Sequence, residues 1–191
     1  RDCVAIGARS VIVISAGFAE QGTEEGIARQ QELRGIARES GVRVCGPNCL
    51  GVANVAEGSW TTSSRSWATS SARIPPDMPA INSRIGLVSQ SGATCYSMLL
   101  AIAEDRRIGF RYLVTTGNEA DLESSDFILY MLRDPDVKVV AAVIEGFKDG
   151  ANFVRAAELA VQLGKPIVVL KIGRSEAGSR GASSHTAAMT G

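Results

Sequence analysis

The sequence predicts an α/β chain: a strand–helix–strand piece of a doubly wound unit, followed by a doubly wound parallel sheet. Three observations predict it. Apolar runs of strand length at 85–89, 110–115 and 137–144 each lead into a segment with helical spacing, and a fourth at 167–172 closes the series. Hydrophobic residues make up 45% of the chain but aromatic ones only 5%, so the core is built from Ala, Val, Ile and Leu, as where helices pack closely on a sheet. Glycines and small hydroxyl residues stand where strands give way to helices.

Residues 11–15 form a β-branched apolar run stopped by Ala16-Gly17, which reads as a buried strand and turn. From 24 to 40, Ile27, Leu33, Ile36 and Ala37 recur at helical spacing among Arg, Glu and Gln, and Ser40-Gly41 supplies a stop. A second strand at 42–45 runs into Gly46-Pro47-Asn48. From about 57 to 84 the pattern dissolves into Ser, Thr, Pro and two tryptophans, Trp60 and Trp67, and reads as a linker. Beyond it come strand 85–89, helix 92–106, strand 110–115, helix 122–133, strand 137–144, helix 152–163 and strand 167–172. Right-handed crossovers would set every strand-to-helix turn on one edge, where open α/β sheets hold ligands.

Charge and cysteine usage narrow the function. Twenty Lys and Arg balance 20 Asp and Glu, which leaves no field to hold a nucleic-acid backbone or an anionic membrane. The longest apolar runs fall far short of the roughly 20 residues of a helical span. Cysteines 3, 45, 49 and 95 form no disulfide framework, and reduced thiols are expected. Cys45 and Cys49 are spaced like half a zinc site, but no second pair follows and the sole histidine lies at the other end, so no metal site is expected.

The ligand edge carries Ser89-Gln90-Ser91-Gly92, Gly117-Asn118-Glu119, Glu145-Gly146, and Gly173-Arg174-Ser175 leading to Ser183-Ser184-His185-Thr186. Such turns expose N–H groups at helix starts, which attract anions, although each by itself is equally a cap or a tight turn. Residues 173–180 have the glycine spacing of a nucleotide-binding P-loop, but Ser179 stands where lysine is required. Ser91, Glu145 and His185 follow the chain order of a hydrolase triad, yet Ser89 and Ala93 occupy the flanking positions that a nucleophile elbow gives to glycine. His185, among small residues, can be a base, a metal ligand or a nucleophile, and its surroundings leave room for a phosphoryl group; an exposed loop histidine without a role fits it equally when taken alone.

Read in order, Gly46-Pro47-Asn48-Cys49-Leu50-Gly51, the 86–92 segment Gly-Leu-Val-Ser-Gln-Ser-Gly, Ile144-Glu145-Gly146, the 173–178 turn and Ser183-Ser184-His185-Thr186 resemble the NDP-forming acyl-CoA synthetase family, the succinyl-CoA synthetase superfamily, in its ADP-forming acetate–CoA ligase branch. The resemblance covers nearly the whole chain and is weakest between about 58 and 82. It implies the C-terminal part of a Rossmann-like CoA-binding domain at 1–57, a linker at 58–83 and a flavodoxin-like ligase domain at 84–191. It also implies a reversible reaction in which acyl-CoA, ADP and phosphate give carboxylic acid, CoA and ATP through an acyl phosphate and a phosphohistidine.

His185 matches the phosphorylated histidine and Glu145 the carboxylate that orients it. Ser89, Ser91 and Gly92 match the phosphate-holding turn, and Ser15, Ala16 and Gly17 a turn that meets CoA. Asn48 and Cys49 belong beside the thioester end, and Tyr96 falls where the succinyl-CoA branch has a tyrosine near its substrate. Mg-ATP or ADP would bind an ATP-grasp domain, the expected partner, which the chain does not contain. The resemblance thus implies a piece of an acid–thiol ligase lacking the glycine-rich opening of its first domain and inactive by itself, cytoplasmic, and oligomeric when complete. A CoA-sensing module without catalysis and a serine hydrolase using Ser91 are the competing expectations.

Overall fold

The computed structural model describes residues 1–64, 84–106 and 108–173. A short helix α1 (Asp2–Ala5) precedes strand β1 (Ser10–Ile12), helix α2 (Glu24–Ser40) and strand β2 (Arg43–Cys45), and β1 and β2 pair in parallel as a two-stranded sheet. The α2 boundaries are those its caps dictate: Thr23 Oγ1 accepts from Gly26 N at 3.1 Å, and Gly41 closes the helix in the left-handed region. Ala37, Val42 and Val44 form the core of this part.

Strands β3 (Gly51–Asn54), β4 (Ser59–Thr62), β5 (Ile85–Ser89), β6 (Tyr112–Thr115), β7 (Val139–Ile144) and β8 (Ile167–Lys171) form one six-stranded sheet of order β4-β3-β6-β5-β7-β8. The four strands β6-β5-β7-β8 are mutually parallel, as expected of a doubly wound domain. After β5 runs helix α3, a π-helical segment at Thr94–Leu99 continued as α-helix Leu100–Asp105; helix α4 (Ser124–Arg133) follows β6, and helix α5 (Gly150–Leu163) follows β7. Cys95, Tyr96 and Leu100 of α3 pack with Leu87, Leu113 and Ala53. On the opposite face, Ile128, Met131 and Leu132 of α4 and Ala156 and Ala160 of α5 pack with Val88, Val114, Val140 and Ala142. Both faces are therefore covered, which accounts for the apolar, weakly alternating strands.

Several boundaries move, and polar groups explain three of the shifts. Helix α4 begins at Ser124 rather than 122 because the Asp126 carboxylate reaches back to accept from Glu123 N at 3.0 Å. Helix α5 begins at Gly150 rather than 152 because Asp149 accepts from Ala151 N at 2.9 Å and Asn152 N at 3.3 Å. β1 ends at Ile12 rather than 15, and Ser15 O instead accepts from Asn48 N at 3.0 Å.

Residues 59–62, inside the stretch expected to be irregular, are a strand. β3 and β4 form an antiparallel hairpin, and β3 pairs antiparallel with β6 through Val52–Val114, Ala53–Leu113 and Asn54–Tyr112. The hairpin covers the edge of β6, an edge strand being a row of unpaired backbone groups that another strand can satisfy. A second junction joins the two sheets. Asn118, Ala120 and Leu122 N donate to Pro47, Gly46 and Val44 O at 2.9, 2.9 and 3.0 Å, and Asp121 accepts from Val44 N at 2.8 Å.

At the far end of the sheet Asp134 accepts from Arg111 Nε at 2.7 Å and from the Tyr112 hydroxyl at 2.5 Å. Burial works to raise its pKa, but the Tyr112 and Arg111 donors outweigh it and hold the carboxyl below its ordinary value. A depressed carboxylate contributes stability above its unfolded pKa, about 3.9, and loses it as pH falls through the folded value. Asp134→Asn should therefore cost about 1–3 kcal/mol at pH 7, with the gap to wild type narrowing below about pH 4. Urea midpoints measured at pH 7 and pH 3 check this; an equal gap at both would contradict it.

Candidate functional site

The order β6-β5-β7-β8 reverses direction at β5: the chain goes from β5 to β6 on one side, then crosses β5 to reach β7 on the other. The loops after β5 and β7 therefore part company and leave a crevice at the carboxyl ends of these two strands, the place where open α/β sheets hold ligands. Residues 89–92 and 145–146 lie on its two sides.

Ser89 is fully buried, and its hydroxyl donates to Ser91 O at 2.7 Å, so this side chain shapes the turn from within. Ser91 is slightly exposed, and its Oγ accepts from Thr94 N at 3.3 Å and Thr94 Oγ1 at 3.0 Å, which is the action of an N-cap. The N–H groups of Gly92 and Ala93, in the first turn of the helix, have no acceptor within it. Leu50 lies against Gly92, where a Cβ would come within 2.6 Å of Leu50 Cγ. Only glycine keeps this approach.

Glu145 is buried at the end of β7, and its carbonyl accepts from Lys171 Nζ at 2.8 Å. Its backbone N–H donates to Gln90 Oε1 at 2.5 Å. His185 and the 174–184 segment lie outside the described residues, so the expected pairing of Glu145 with His185 does as well.

The residues expected near CoA and the thioester converge at the junction of the two sheets. Gly17 N donates to Glu20 Oε1 at 2.6 Å, and Gly17 O accepts from Arg29 Nη1 at 3.2 Å, while Ser15 and Ala16 are exposed. Asn48 donates through Nδ2 to Asn118 Oδ1 at 3.2 Å, and Asn118 in turn donates to Glu20 Oε2 at 2.5 Å and Gln30 Oε1 at 2.9 Å. Burial acts to raise the Glu20 pKa, yet the Asn118, Gly17 and Phe18 donors bring it below the ordinary value, so the network is built around a carboxylate anion.

Cys49 is buried with its thiol on Val13 O at 3.5 Å, and Cys45 donates to Thr115 O at 3.5 Å. The neighbouring Cys49 thiol and burial together hold the Cys45 pKa above its ordinary value. Tyr96 is almost wholly buried, its hydroxyl has no hydrogen-bond partner among the described residues, and burial pushes its pKa up. It lies beneath the turn, packed with Cys95, Leu100 and Ala53.

Three residues that sequence reasoning passed over are central here: Gln90, Asn118 and Glu119. All three stand in turns that the pattern marked, but their type announced nothing, because amides and carboxylates are ordinary in turns. Among the described residues no group of three or more His, Cys, Asp or Glu is arranged to hold a metal. Nor is any helix among them long and apolar enough to cross a membrane.

Fold and turn geometry together define a doubly wound α/β domain in which a helix start and the buried Glu145 stand on opposite sides of the crevice between β5 and β7. Residues 82–191 match the family described as "Succinyl-CoA ligase like flavodoxin domain", and the chain belongs to that family. It is 37% identical, over its whole length, to Acetate--CoA ligase [ADP-forming] I of Archaeoglobus fulgidus, of which it covers 26%. It is 36% identical to Acetate--CoA ligase [ADP-forming] II subunit alpha of Pyrococcus furiosus, covering 38% of that subunit. A solved structure of dinucleotide forming acetyl-coenzyme A synthetase 1 from Ca. Korarchaeum cryptofilum, in complex with phosphate and ADP, superposes with a TM-score of 0.79 at 31% identity; the match takes in the whole of this chain and 38% of that one. The chain thus spans between about a quarter and two fifths of the length of these relatives.

Proposed function

We propose that this chain is the CoA-side and phosphohistidine-bearing part of an ADP-forming acyl-CoA synthetase. The reading is carried by one observation: the full-length likeness to ADP-forming acetate–CoA ligases, with Glu145 and the Ser91–Gly92 helix start lying on opposite sides of the β5/β7 crevice. In this reading, residues 1–57 are the end of the CoA-binding domain and 84–191 the ligase domain, with the β3–β4 hairpin bridging them. An ATP-grasp domain, fused or separate, supplies the Mg-nucleotide site, and the complete enzyme is an oligomer of the cytoplasm.

The reaction needs three transfers. Inorganic phosphate attacks the thioester carbonyl; a C–O bond forms, the C–S bond breaks, and CoA leaves as its thiol. A ring nitrogen of His185 then attacks phosphorus, and the P–O bond to the acyl group breaks to release the carboxylate. Finally the phosphoryl group passes from nitrogen to the β-phosphate of ADP.

The chain's own groups suit these steps. Backbone N–H groups of Gly92 and Ala93, with the helix dipole behind them, take up phosphoryl charge without a cationic cluster. Ser91 defines that helix start, and Ser89 supports the turn from below. Glu145 accepts from the second ring nitrogen of His185 and keeps the attacking one unprotonated. The Ser15–Gly17 turn meets CoA, while Asn48 and Cys49 border the thioester, with Tyr96 packed beneath them.

The test is phosphorylation. In the full-length protein with its ATP-grasp portion, labelled ATP should place an acid-labile, base-stable phosphate on His185, and His185→Asn should carry none. Label retained in His185→Asn would sink the reading.

A further inference from the structure

Glu145 leaves its strand at the point where the β-ladder ends, so hydrogen bonding between strands no longer fixes its place. The backbone of Gln90 makes one last ladder bond, to Val143 O at 3.1 Å. Beyond that, the Gln90 side chain takes over. Its Oε1 accepts from Glu145 N at 2.5 Å and Gly146 N at 3.0 Å, and its Nε2 donates to Gly146 O at 2.6 Å and to Glu119 Oε2 at 2.8 Å. All four positions of one amide are used, in a residue that is 4% exposed.

The amide works in one orientation only. Turned over, it would present N–H groups to two backbone N–H donors and an oxygen to a carbonyl and a carboxylate. Burial pushes the Glu119 pKa above its ordinary value, against the Ser124, Thr116 and Gln90 donors that favour the anion. Only donors face its two oxygens, and as a carboxylate it can only accept, so it enforces the choice. Glu119 is itself held: its Oε1 accepts from Thr116 Oγ1 at 2.8 Å, Ser124 N at 2.8 Å and Ser124 Oγ at 2.5 Å. Its backbone is in the left-handed region, φ 56°, which a residue with a side chain adopts only where its surroundings compel it. Thr116 N donates to Ser89 O at 2.9 Å, tying the β6 turn to that of β5.

We propose that Gln90 is a positioning residue that sets Glu145 against the phosphoryl acceptor, and that Glu119 is the group that locks the Gln90 amide in the required orientation. The inference rests on the phosphohistidine reading of Glu145 given above. It adds a chain of command across three loops: the β6 turn orients the amide of the β5 turn, and that amide holds the backbone of the β7 turn. Lys171 secures the same backbone from the β8 side through Glu145 O.

The experiment uses the full-length enzyme with its nucleotide-binding portion, in wild-type form and as Gln90→Met and Glu119→Gln. Three quantities are read: the single-turnover rate of His185 labelling from labelled ATP, the Kd for CoA, and amide hydrogen exchange in the peptide spanning 143–147. Gln90→Met keeps the length of the side chain but none of its hydrogen bonds. It is expected to slow labelling about 100-fold, the scale of an ångström-sized misplacement, with the Kd for CoA within about twofold and faster exchange at 145 and 146.

Glu119→Gln should do the same although it is nearly isosteric. An amide at 119 must point its N–H at either Gln90 Nε2 or Ser124 N, both donors. It also serves as the second variant if Gln90→Met does not fold.

Wild-type labelling rates and unchanged exchange at 145 and 146 in a folded Gln90→Met or Glu119→Gln enzyme would overturn the proposal. A loss of CoA affinity equal to the loss of rate would overturn it too, in favour of a general structural role. Absence of label on His185 in the wild-type enzyme overturns the phosphohistidine reading instead, and the exchange measurement then still decides whether Gln90 holds the Glu145 turn.

Discussion

Gly117→Ala is expected to lose about 3–5 kcal/mol of folding stability, near the top of the range for a single substitution. Gly117 opens the turn after β6 with φ 57°, and a Cβ there would run into the carbonyl oxygens of Pro47 and Asn48 and lie 2.6 Å from Asn48 C. Those neighbours are backbone, and they cannot swing aside. Asn48 N is bonded to Ser15 O at 3.0 Å, and Gly46 O and Pro47 O take Ala120 N and Asn118 N at 2.9 Å each. Relief of the clash would therefore pull apart the junction between the two sheets and move the Ser15–Gly17 and Asn48–Cys49 turns together.

Gly164→Ala is the control. Its φ is 62°, almost the same, but nothing lies within 4 Å of the added carbon. It should show only the left-handed backbone penalty of about 1 kcal/mol. Urea midpoints of both variants decide the matter, and equal losses would mean that the close approach at Gly117 contributes nothing.

Glu145→Gln should slow phosphorylation of His185 by about 10²- to 10⁴-fold, the range for groups that hold a reacting imidazole in its working tautomer and exchange its proton. The substitution keeps the size of the side chain. The backbone of residue 145 is held independently by Gln90 and Lys171, so the fold should survive. The loss should therefore appear in the rate of labelling while the thermal midpoint and CoA affinity stay near wild type. A rate equal to wild type would remove Glu145 from the proposed mechanism and leave the imidazole to be oriented by some other group.

Much of the fold was legible because it is written in local periodicity. The α2 helix is bounded where Thr23 and Gly41 say it should be, and each parallel strand appears where an apolar run predicts one. The β3–β4 hairpin was not legible. Gly51–Asn54 and Ser59–Thr62 are short, half-polar segments; the first takes its strand character from the open edge of β6, a partner about 60 residues further along, and the second pairs with the first. The site divides in the same way. Ser91, Gly92 and Glu145 could be picked out because strand ends and helix starts are recognisable in sequence, and the structure brings them to one crevice. Gln90, Asn118 and Glu119 could not, since their importance lies largely in what they bond across 29 to 98 positions of chain.

The α/β class, the alternation of strand and helix and the edge expected to hold ligands follow from apolar spacing and turn residues, each of which acts within about ten positions; the family follows from five motifs that resemble it in order. Tertiary structure alone decided that an antiparallel hairpin completes the sheet, that the 118–122 loop joins it to the β1–β2 pair, and that one glutamine amide spans the gap between β5 and β7. The physical reason is that a buried polar group must find a partner wherever the fold happens to bring one, and only the assembled chain specifies which loops meet.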